Sequence, residues 1–250
     1  MRHFIYISIL IVAMACNSEK APNCLQSQGD LIQTEMEVAP FMRIRIEDDV
    51  SLIIRQGPVQ EVIIETGSNL LNDVEVTVEG ETLVVRDHNR CNLVRDFGIT
   101  TAIVTTPDLL EIRNSSEFHV RGEGVLSFPF LTLTSNTTGG IEGSRKSGDF
   151  TLRVECKELR VAANGFSAFY ISGFAQKAVI GFEDEVPRFE GADLFVNDLL
   201  FLQRSANVMI VNPLERLRGE IFGIGNVISV NRPPIVEVEE FYTGRLIFQD

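Results

Sequence analysis

The chain has 250 residues, with 35 acidic and 22 basic side chains and a formal net charge of −13. That length can bury a sizeable core in one large or two small domains, and a hydrophobic share of 44% argues against extensive disorder. The acidic balance, with no basic stripe, excludes nucleic acid as an expected partner.

The N-terminus carries a targeting signal. A basic start precedes the apolar run FIYISILIV, and AMA then leads to Cys16. The run is too short to span a bilayer, and a small-residue exit is typical of a cleaved signal peptide. A small residue directly before Cys16 resembles the lipobox of bacterial lipoproteins, which implies acylation of this cysteine; an ordinary signal peptide is the alternative. We therefore predict a signal peptide over 1–15 and a lipidated tether over 16–24, and Asn17, by the same resemblance, favours the outer membrane.

Three cysteines remain for the mature chain. Cys24 and Cys91 lie in polar, turn-like segments, whereas Cys156 lies in FTLRVECKELRV, an alternating segment where a small buried side chain fits. Because a secreted chain meets an oxidising compartment, we expect a Cys24–Cys91 disulfide. Three cysteines at these spacings match no zinc pattern, so we expect no metal and no other cofactor.

The segment 25–107 predicts strands of irregular spacing. MRIRIEDDVSLIIRQG, EVIIETG, DVEVTVEGETLVVRD and TTAIVTTP alternate apolar and polar residues, as half-buried strands do. Gly80 marks a tight hairpin. One helical candidate of one or two turns occupies 68–74, with Ser68 as its cap.

From 108 to 231 a repeat is visible. Each unit holds a short apolar pair: Leu110/Ile112, Leu131/Leu133, Leu159/Val161 and Leu200/Leu202. The units close on Gly or Asn, at Gly122, Gly143, Gly173, Gly191, Asn212 and Asn231. A spacing near twenty predicts a β-solenoid with coils of about 18–21 residues, because a short strand buries its apolar face only against an identical neighbour. A β-sandwich is the alternative.

Two nearly identical heptapeptides, ANVMIVN at 206–212 and GNVISVN at 225–231, predict successive coils. The expected stacked pairs are Val208 with Val227, Val211 with Val230, and Asn212 with Asn231. The remaining segment, 232–250, begins with a Pro-Pro break and predicts a closing strand pair that caps the last coil. We therefore predict a single all-β domain over 25–250.

Several segments carry a family resemblance: APNC, ETGSNLLNDVEV, RDHNRCNLVRDFGIT, EIRNSSEF and GNVISVNRPPIVEVEEFYTGRLIFQD. Together they resemble the Bacteroidota family called the putative auto-transporter adhesin, head GIN domain, from Cys24 to the C-terminus. The resemblance implies a right-handed, pectin-lyase-like β-helix and a role in adhesion at the cell surface. It also supports the pairing of Cys24 with Cys91.

Residues that could carry chemistry are sparse. The acidic clusters Glu47-Asp48-Asp49 and Glu183-Asp184-Glu185 predict turns, since consecutive strand residues point in opposite directions and rarely form a paired-carboxylate or calcium site. His88 is expected in an exposed loop, and His119 is expected to face outward. No nucleophile elbow, phosphate loop or dinucleotide fingerprint occurs. We therefore expect no catalytic and no metal-binding residue.

Phenylalanines recur along the repeats, and we expect them to form an interior ladder: Phe118, Phe128, Phe130, Phe166, Phe169, Phe174, Phe182, Phe189 and Phe222. Tyr170 and Tyr242 are the better candidates for exposed, sugar-stacking rings.

Three functional hypotheses follow. The first is a non-enzymatic adhesin or interaction module, anchored to the membrane by its lipid, that binds a glycan or a surface protein. The second is a degenerate polysaccharide-acting enzyme, which three or more charged side chains converging from adjacent coils would favour. The third is a structural envelope protein that faces the periplasm. The sequence leaves the ligand and the oligomeric state open.

Overall fold

The fold is described from a computed structural model, which covers residues 23–89, 91–141 and 143–249. The predicted signal peptide and the lipidation site at Cys16 lie outside the described residues. Within them, no helix is long and apolar enough to cross a membrane.

The described part of the chain is all-β, as predicted, and its seventeen strands form one curled, open sheet. The first nine strands are β1 (Leu31–Glu35), β2 (Arg43–Asp48), β3 (Ser51–Gln56), β4 (Glu61–Gly67), β5 (Val74–Glu79), β6 (Thr82–Asp87), β7 (Thr101–Thr106), β8 (Glu111–Ser116) and β9 (Val120–Glu123). The remaining eight are β10 (Phe130–Ser135), β11 (Phe150–Ala163), β12 (Ala168–Phe182), β13 (Arg188–Gln203), β14 (Met209–Ile221), β15 (Val227–Ser229), β16 (Ile235–Glu240) and β17 (Leu246–Phe248). Two short 3₁₀ helices span Asn23–Leu25 and Leu71–Asp73.

The N-terminal part mixes strand directions. β4 pairs antiparallel with β1 and β7, and β5 pairs antiparallel with β6 across the predicted hairpin, where Gly80 adopts a φ of 65°. The predicted helix over 68–74 is a 3₁₀ turn of three residues. Leu70 rather than Ser68 precedes this turn, and no side chain caps it. So short a turn leaves few amide groups that a side-chain cap could satisfy.

From β8 onward the strands are parallel and stack in two ladders. One joins β9, β11, β12, β13, β14, β15 and β17, and the other joins β8, β10, β11, β12, β13, β14 and β16. The long strands β11–β14 take part in both ladders, so each crosses the bend between them.

One inward column shows how the core is built. Its members share one register across the strands: Val120, Phe150, Phe169, Phe189, Met209, Val227 and Leu246. The rings of Phe150 and Phe169 stack with centroids 4.7 Å apart. Stacking like on like buries each side chain against its neighbours, which an isolated strand could not do.

The repeated heptapeptides pair as neighbouring strands, but the predicted register is wrong by one residue. Met209, not Val208, lies opposite Val227, and Val211 lies opposite Ser229. Met209 is fully buried, whereas Val208 is half-buried. The bulkier apolar side chain takes the inward position because the column requires volume there.

The two asparagines bond to the backbone and not to each other, as the expected ladder would require. Asn212 and Asn231 each donate a side-chain amide to a backbone carbonyl of the preceding coil, Ala192 O and Pro213 O respectively, at 2.8 Å. They satisfy carbonyl groups at corners rather than each other.

Both members of the predicted apolar pairs at Leu131/Leu133 and Leu159/Val161 are buried, only Ile112 is buried in the first pair, and neither member is buried in the last. Ile112, Leu133 and Val161 are in register and buried, but Leu200 and Leu202 face outward, because β13 turns Leu199 and Phe201 into the core. The phenylalanine ladder is likewise only partly interior. Buried rings are Phe128, Phe150, Phe169, Phe182 and Phe189; exposed ones are Phe130, Phe166 and Phe174; Phe118 and Phe222 are half-buried.

The C-terminal segment extends the ladders instead of closing on itself. β16 pairs parallel with β14, and β17 pairs parallel with β15. The predicted closing pair is therefore one further strand on each ladder, with Phe241 stacked on Phe222 at 4.4 Å between ring centroids.

A disulfide joins Cys24 and Cys91, the pair expected from the sequence, across 67 residues. Cys156 is free and buried in β11, as expected for a small apolar side chain, and burial raises the pKa of its thiol to about 12. The disulfide therefore fastens the N-terminal segment to the loop after β6, while Cys156 belongs to the core.

Candidate functional site

The clearest irregularity in the ladders lies in the first half of β13. Between Glu190 and Phe195, β13 places the four residues 191–194 opposite Val211 alone of β14. Between the pairs Tyr170–Glu190 and Gly173–Leu194, three residues of β13 lie opposite two residues of β12. Within this bulge Ala192 and Asp193 are exposed while Gly191 and Leu194 stay buried, and bulges of this kind re-aim side chains at binding sites.

Three exposed aromatic side chains surround this bulge. Tyr170 and Phe174 lie on β12, and Phe195 lies on β13 in register with Phe174. Their exposed fractions are 45%, 38% and 48%. They point outward because their neighbours along each strand, such as Phe169 and Ile171, occupy the core. Neighbouring strands lie about 4.8 Å apart, so Phe174 and Phe195 form one continuous aromatic surface.

Polar side chains accompany the rings. Arg153 on β11 and Ser172 on β12 are register neighbours, and the bulge presents Asp193. Glu190, at the near side, pairs with Arg188. We call the surface formed by Tyr170, Phe174, Phe195, Arg153, Ser172 and Asp193 the aromatic corner.

The aromatic corner contains two shallow depressions of about 420 and 390 Å³. Both are lined by Arg153, Ser172 and Asp193, so they are two halves of one groove. Gly173 lines the first, with a φ of 108°, and a Cβ there would lie 2.1 Å from the carbonyl oxygen of Val154. Aromatic faces beside a guanidinium, a hydroxyl and a carboxylate can hold a flat apolar face while bonding the hydroxyls around it.

The cluster Glu183-Asp184-Glu185 lies at a turn, as predicted, whereas Glu47 and Asp48 are the last two residues of β2 and only Asp49 lies in the turn that follows. Asp48 and Glu185 adopt φ values of 56° and 58°, and Glu185 accepts a bond from Lys146 at 3.3 Å. Asp49 is almost fully buried, with its Oδ1 2.6 Å from Arg145. Burial raises the pKa of the Asp49 carboxyl above its ordinary value, and Arg145 opposes that rise. Among the described residues, no group of histidine, cysteine and acidic side chains could hold a metal ion.

The two histidines of the described chain are placed as expected. The Nε2 of His88 lies 3.1 Å from Glu75, and His119 is exposed, with its Nδ1 3.9 Å from Asp149. Of the two expected exposed tyrosines, Tyr170 lies in the aromatic corner and Tyr242 lies apart from it, beyond β16. The sequence did not predict Phe174 and Phe195 as exposed rings, because an alternating pattern does not say which of its two faces is inside.

The fold and this surface define an all-β protein with an exposed groove lined by aromatic and charged side chains. The family model of the putative auto-transporter adhesin, head GIN domain, matches residues 40–233, so the chain belongs to that family. The match is shorter than the expected span from Cys24 to the C-terminus and ends before β16.

Solved structures share the fold at low sequence identity. A putative adhesin from Bacteroides fragilis is 19% identical, with a TM-score of 0.79, covering 89% of this chain and 99% of that one. A putative adhesin from Parabacteroides distasonis is 14% identical, with a TM-score of 0.65, covering 88% and 99%. A putative lipid binding protein from the same species is 12% identical, with a TM-score of 0.61, covering 89% and 98%.

No curated protein sequence matches the chain. Membership of this family indicates a protein of the cell envelope or the cell surface.

Proposed function

We propose that this protein is a non-enzymatic, adhesin-type interaction module that binds a glycan at the aromatic corner. The carrying observation is the set of three outward rings, Tyr170, Phe174 and Phe195, around a bulge that also presents Asp193. A sugar ring has an apolar face that packs on an aromatic side chain and equatorial hydroxyls that bond neighbouring polar groups. Family membership supports the adhesive role.

The proposal includes a right-handed β-helix. Successive inward residues from Phe150 to Leu246 are 18 to 20 residues apart and pair in parallel, as coils of a solenoid do. A parallel crossover is right-handed in about 98% of cases. Such a helix would present the aromatic corner along one edge of a rod.

Single substitutions test the glycan site. Tyr170→Ala and Phe174→Ala should each weaken binding on a glycan array by about tenfold or more, as loss of a central ring does at other interfaces. Phe166→Ala is the matched control, because Phe166 is also exposed, at 61%, but lies outside the groove. Equal loss in all three variants, or none in the first two, would reject the aromatic corner as the site.

The membrane anchor, and the side of the outer membrane that the protein faces, need separate measurements. We propose acylation of Cys16 and outer-membrane attachment, supported by the lipobox-like segment. Metabolic labelling with a palmitate analogue should mark the wild type and not Cys16→Ser. Protease shaving of intact cells should cleave the protein while a periplasmic control survives. Protection until the envelope is opened would instead favour a structural protein that faces the periplasm.

An enzyme acting on polysaccharides is the second candidate, favoured by one observation. Glu155, Glu190, Asp193 and Arg153 line the two depressions of the aromatic corner, so charged side chains of adjacent strands lie in one groove. Incubation with plant, algal and bacterial polysaccharides, followed by a reducing-end assay, distinguishes the two functions. New reducing ends that disappear in Asp193→Asn would establish catalysis, whereas binding without product supports the adhesin.

A further inference from the structure

An exposed apolar surface lies beside the disulfide, at the start of the described chain. Leu93, Val94 and Phe97, in the loop between β6 and β7, are 74%, 52% and 62% exposed, and Leu25 is 41% exposed. We call the surface formed by these four side chains the anchor-side patch. Single exposed apolar residues are common, but several of them in one short segment indicate an interaction surface.

Three connections hold this loop against the first described turn. The disulfide joins Cys24 to Cys91, and the amide of Leu93 donates to the carbonyl oxygen of Cys24 at 3.0 Å. The guanidinium group of Arg95 donates to the carbonyl oxygen of Gln26 at 2.8 Å. The loop and the segment 24–26 therefore form one cross-linked unit, and its apolar side chains remain outside the core.

The loop is electrically neutral although the protein is strongly acidic. Its segment 91–98, CNLVRDFG, contains one basic and one acidic residue, whereas the whole chain has a formal net charge of −13. A membrane surface that contains anionic lipids attracts basic segments and repels acidic ones. Contact with such a surface therefore costs least electrostatic free energy where the protein is neutral and apolar, as it is at the anchor-side patch.

The distance along the chain to Cys16 selects the lipid bilayer as the occupant of the patch. The residues between Cys16 and Cys24 are 17–23. Since an extended chain spans at most about 3.6 Å per residue, Cys24 would lie within roughly 29 Å of a lipid attached at Cys16. Tyr242 follows β16, which is eight strand pairings from β6, or roughly 38 Å at about 4.8 Å for each pairing. The tether therefore holds the patch nearer to the membrane than the far end of the ladders.

We propose that the anchor-side patch inserts into the surface of the lipid bilayer that carries the protein. This inference rests on the proposed acylation of Cys16. Apolar and aromatic side chains at such an interface are buried about 5–10 Å deep, at the boundary of headgroups and acyl chains. The contact fixes which end of the protein faces the membrane. It also keeps the aromatic corner away from the bilayer, because β12 is five strand pairings from β6.

The chain contains no tryptophan, so a single indole can report on the patch. Phe97→Trp places this reporter in the patch, and Tyr242→Trp places it at the far end, where the native side chain is equally exposed, at 62%. Each acylated variant is incorporated into vesicles of phosphatidylethanolamine and phosphatidylglycerol. Lipids brominated in their acyl chains should quench the emission of Phe97→Trp and leave the emission of Tyr242→Trp unchanged.

A further substitution tests whether apolar contact causes the insertion. Leu93→Ser, added to Phe97→Trp, should lower the ratio of quenched to unquenched emission by about tenfold, because one apolar side chain no longer enters the bilayer. Val59→Ser is the matched control, since Val59 is 70% exposed but lies in the loop between β3 and β4. It should leave the quenching unchanged, and equal effects of the two substitutions would contradict insertion of the patch.

A second sample separates this inference from acylation itself. The mature chain with Cys16→Ser and an N-terminal histidine tag, bound to vesicles that contain a nickel-chelating lipid, is held at the surface by the same tether. Quenching of Phe97→Trp in this sample, together with no palmitate label on the wild type in cells, would support the membrane contact and reject only the acylation. Emission of Phe97→Trp that is quenched in neither sample, or no more than that of Tyr242→Trp, would overturn the proposal and favour a protein as the partner of the patch.

Discussion

The register of the last repeats can be tested with two adjacent residues. Met209 is fully buried in the inward column between Phe189 and Val227, whereas its neighbour Val208 is half-buried and outside that column. Truncating each to alanine removes side-chain atoms from opposite sides of the same strand. The two variants should therefore differ strongly in stability although they are one position apart.

The expected magnitudes follow from burial. Met209→Ala leaves a cavity in a packed column, and buried Met→Ala changes cost about 2–5 kcal/mol. Val208→Ala removes two methyl groups that are partly in water already, so its cost should stay below about 1 kcal/mol, given about 0.8 kcal/mol for each fully buried group. Met209→Leu keeps the volume and should cost less than about 1.5 kcal/mol.

Urea unfolding followed by circular dichroism measures all three free energies. The order of stability should be wild type, then Val208→Ala and Met209→Leu close together, then Met209→Ala well below. A Val208→Ala variant that is as unstable as Met209→Ala would refute the observed register and restore the one that the repeat predicts.

Four further outcomes follow from other parts of the fold. Replacing Cys24 and Cys91 with serine should lower the free energy of unfolding by about 4 kcal/mol in the chain-entropy model for a loop this long, and a change below about 1 kcal/mol in urea titrations would contradict it. Cys156 should resist iodoacetamide in the folded protein and react once urea unfolds it, because burial disfavours its thiolate; labelling at the same rate in both states would contradict its burial. Gly173→Ala should destabilise the protein by about 2 kcal/mol or more in urea unfolding, since φ is positive and the new Cβ meets a carbonyl, and an unchanged urea midpoint would show that the corner adjusts freely. Burial raises the pKa of Asp49 above 3.8, so the stability that this carboxyl contributes is complete below that pH and is lost as the pH rises through the folded-state pKa. Asp49→Asn should therefore become more stable relative to wild type as the pH is raised through that range. A difference in unfolding free energy that does not change with pH would contradict this expectation.

Much of the fold could be predicted from particular residues. Alternation identified the strands around Ile44 and Leu83, and the glycine at 80 identified the hairpin, because both signals are local. The spacing near twenty identified parallel stacking, since equal repeats must meet in register. What local patterns could not supply was the choice of inward face in strands with apolar residues on both faces, as at Val208 and Met209, where packing against the neighbouring coil decides.

The candidate sites were harder to predict for the same reason. Phe174 and Phe195 have the composition of core residues, and only the direction of β12 and β13 shows that they face solvent. A polar cavity lined by Glu47 and Arg145 joins segments far apart in the chain, and their proximity follows from the whole sheet rather than from any motif.

The repeat itself explains why the aromatic corner lies where it does. Coils of equal length pair residue for residue, so a regular ladder commits its backbone groups to neighbouring strands. Between Glu190 and Phe195, β13 carries three residues more than β14 can pair, and two residues of that bulge, Ala192 and Asp193, are exposed. The parallel strands on both sides hold the bulge in place, so its exposed side chains are presented on a rigid base. Among parallel strands that repeat at a near-constant spacing, a strand that departs from the common length is therefore the first place to look for a binding site, and in this chain that place also carries the outward-facing rings.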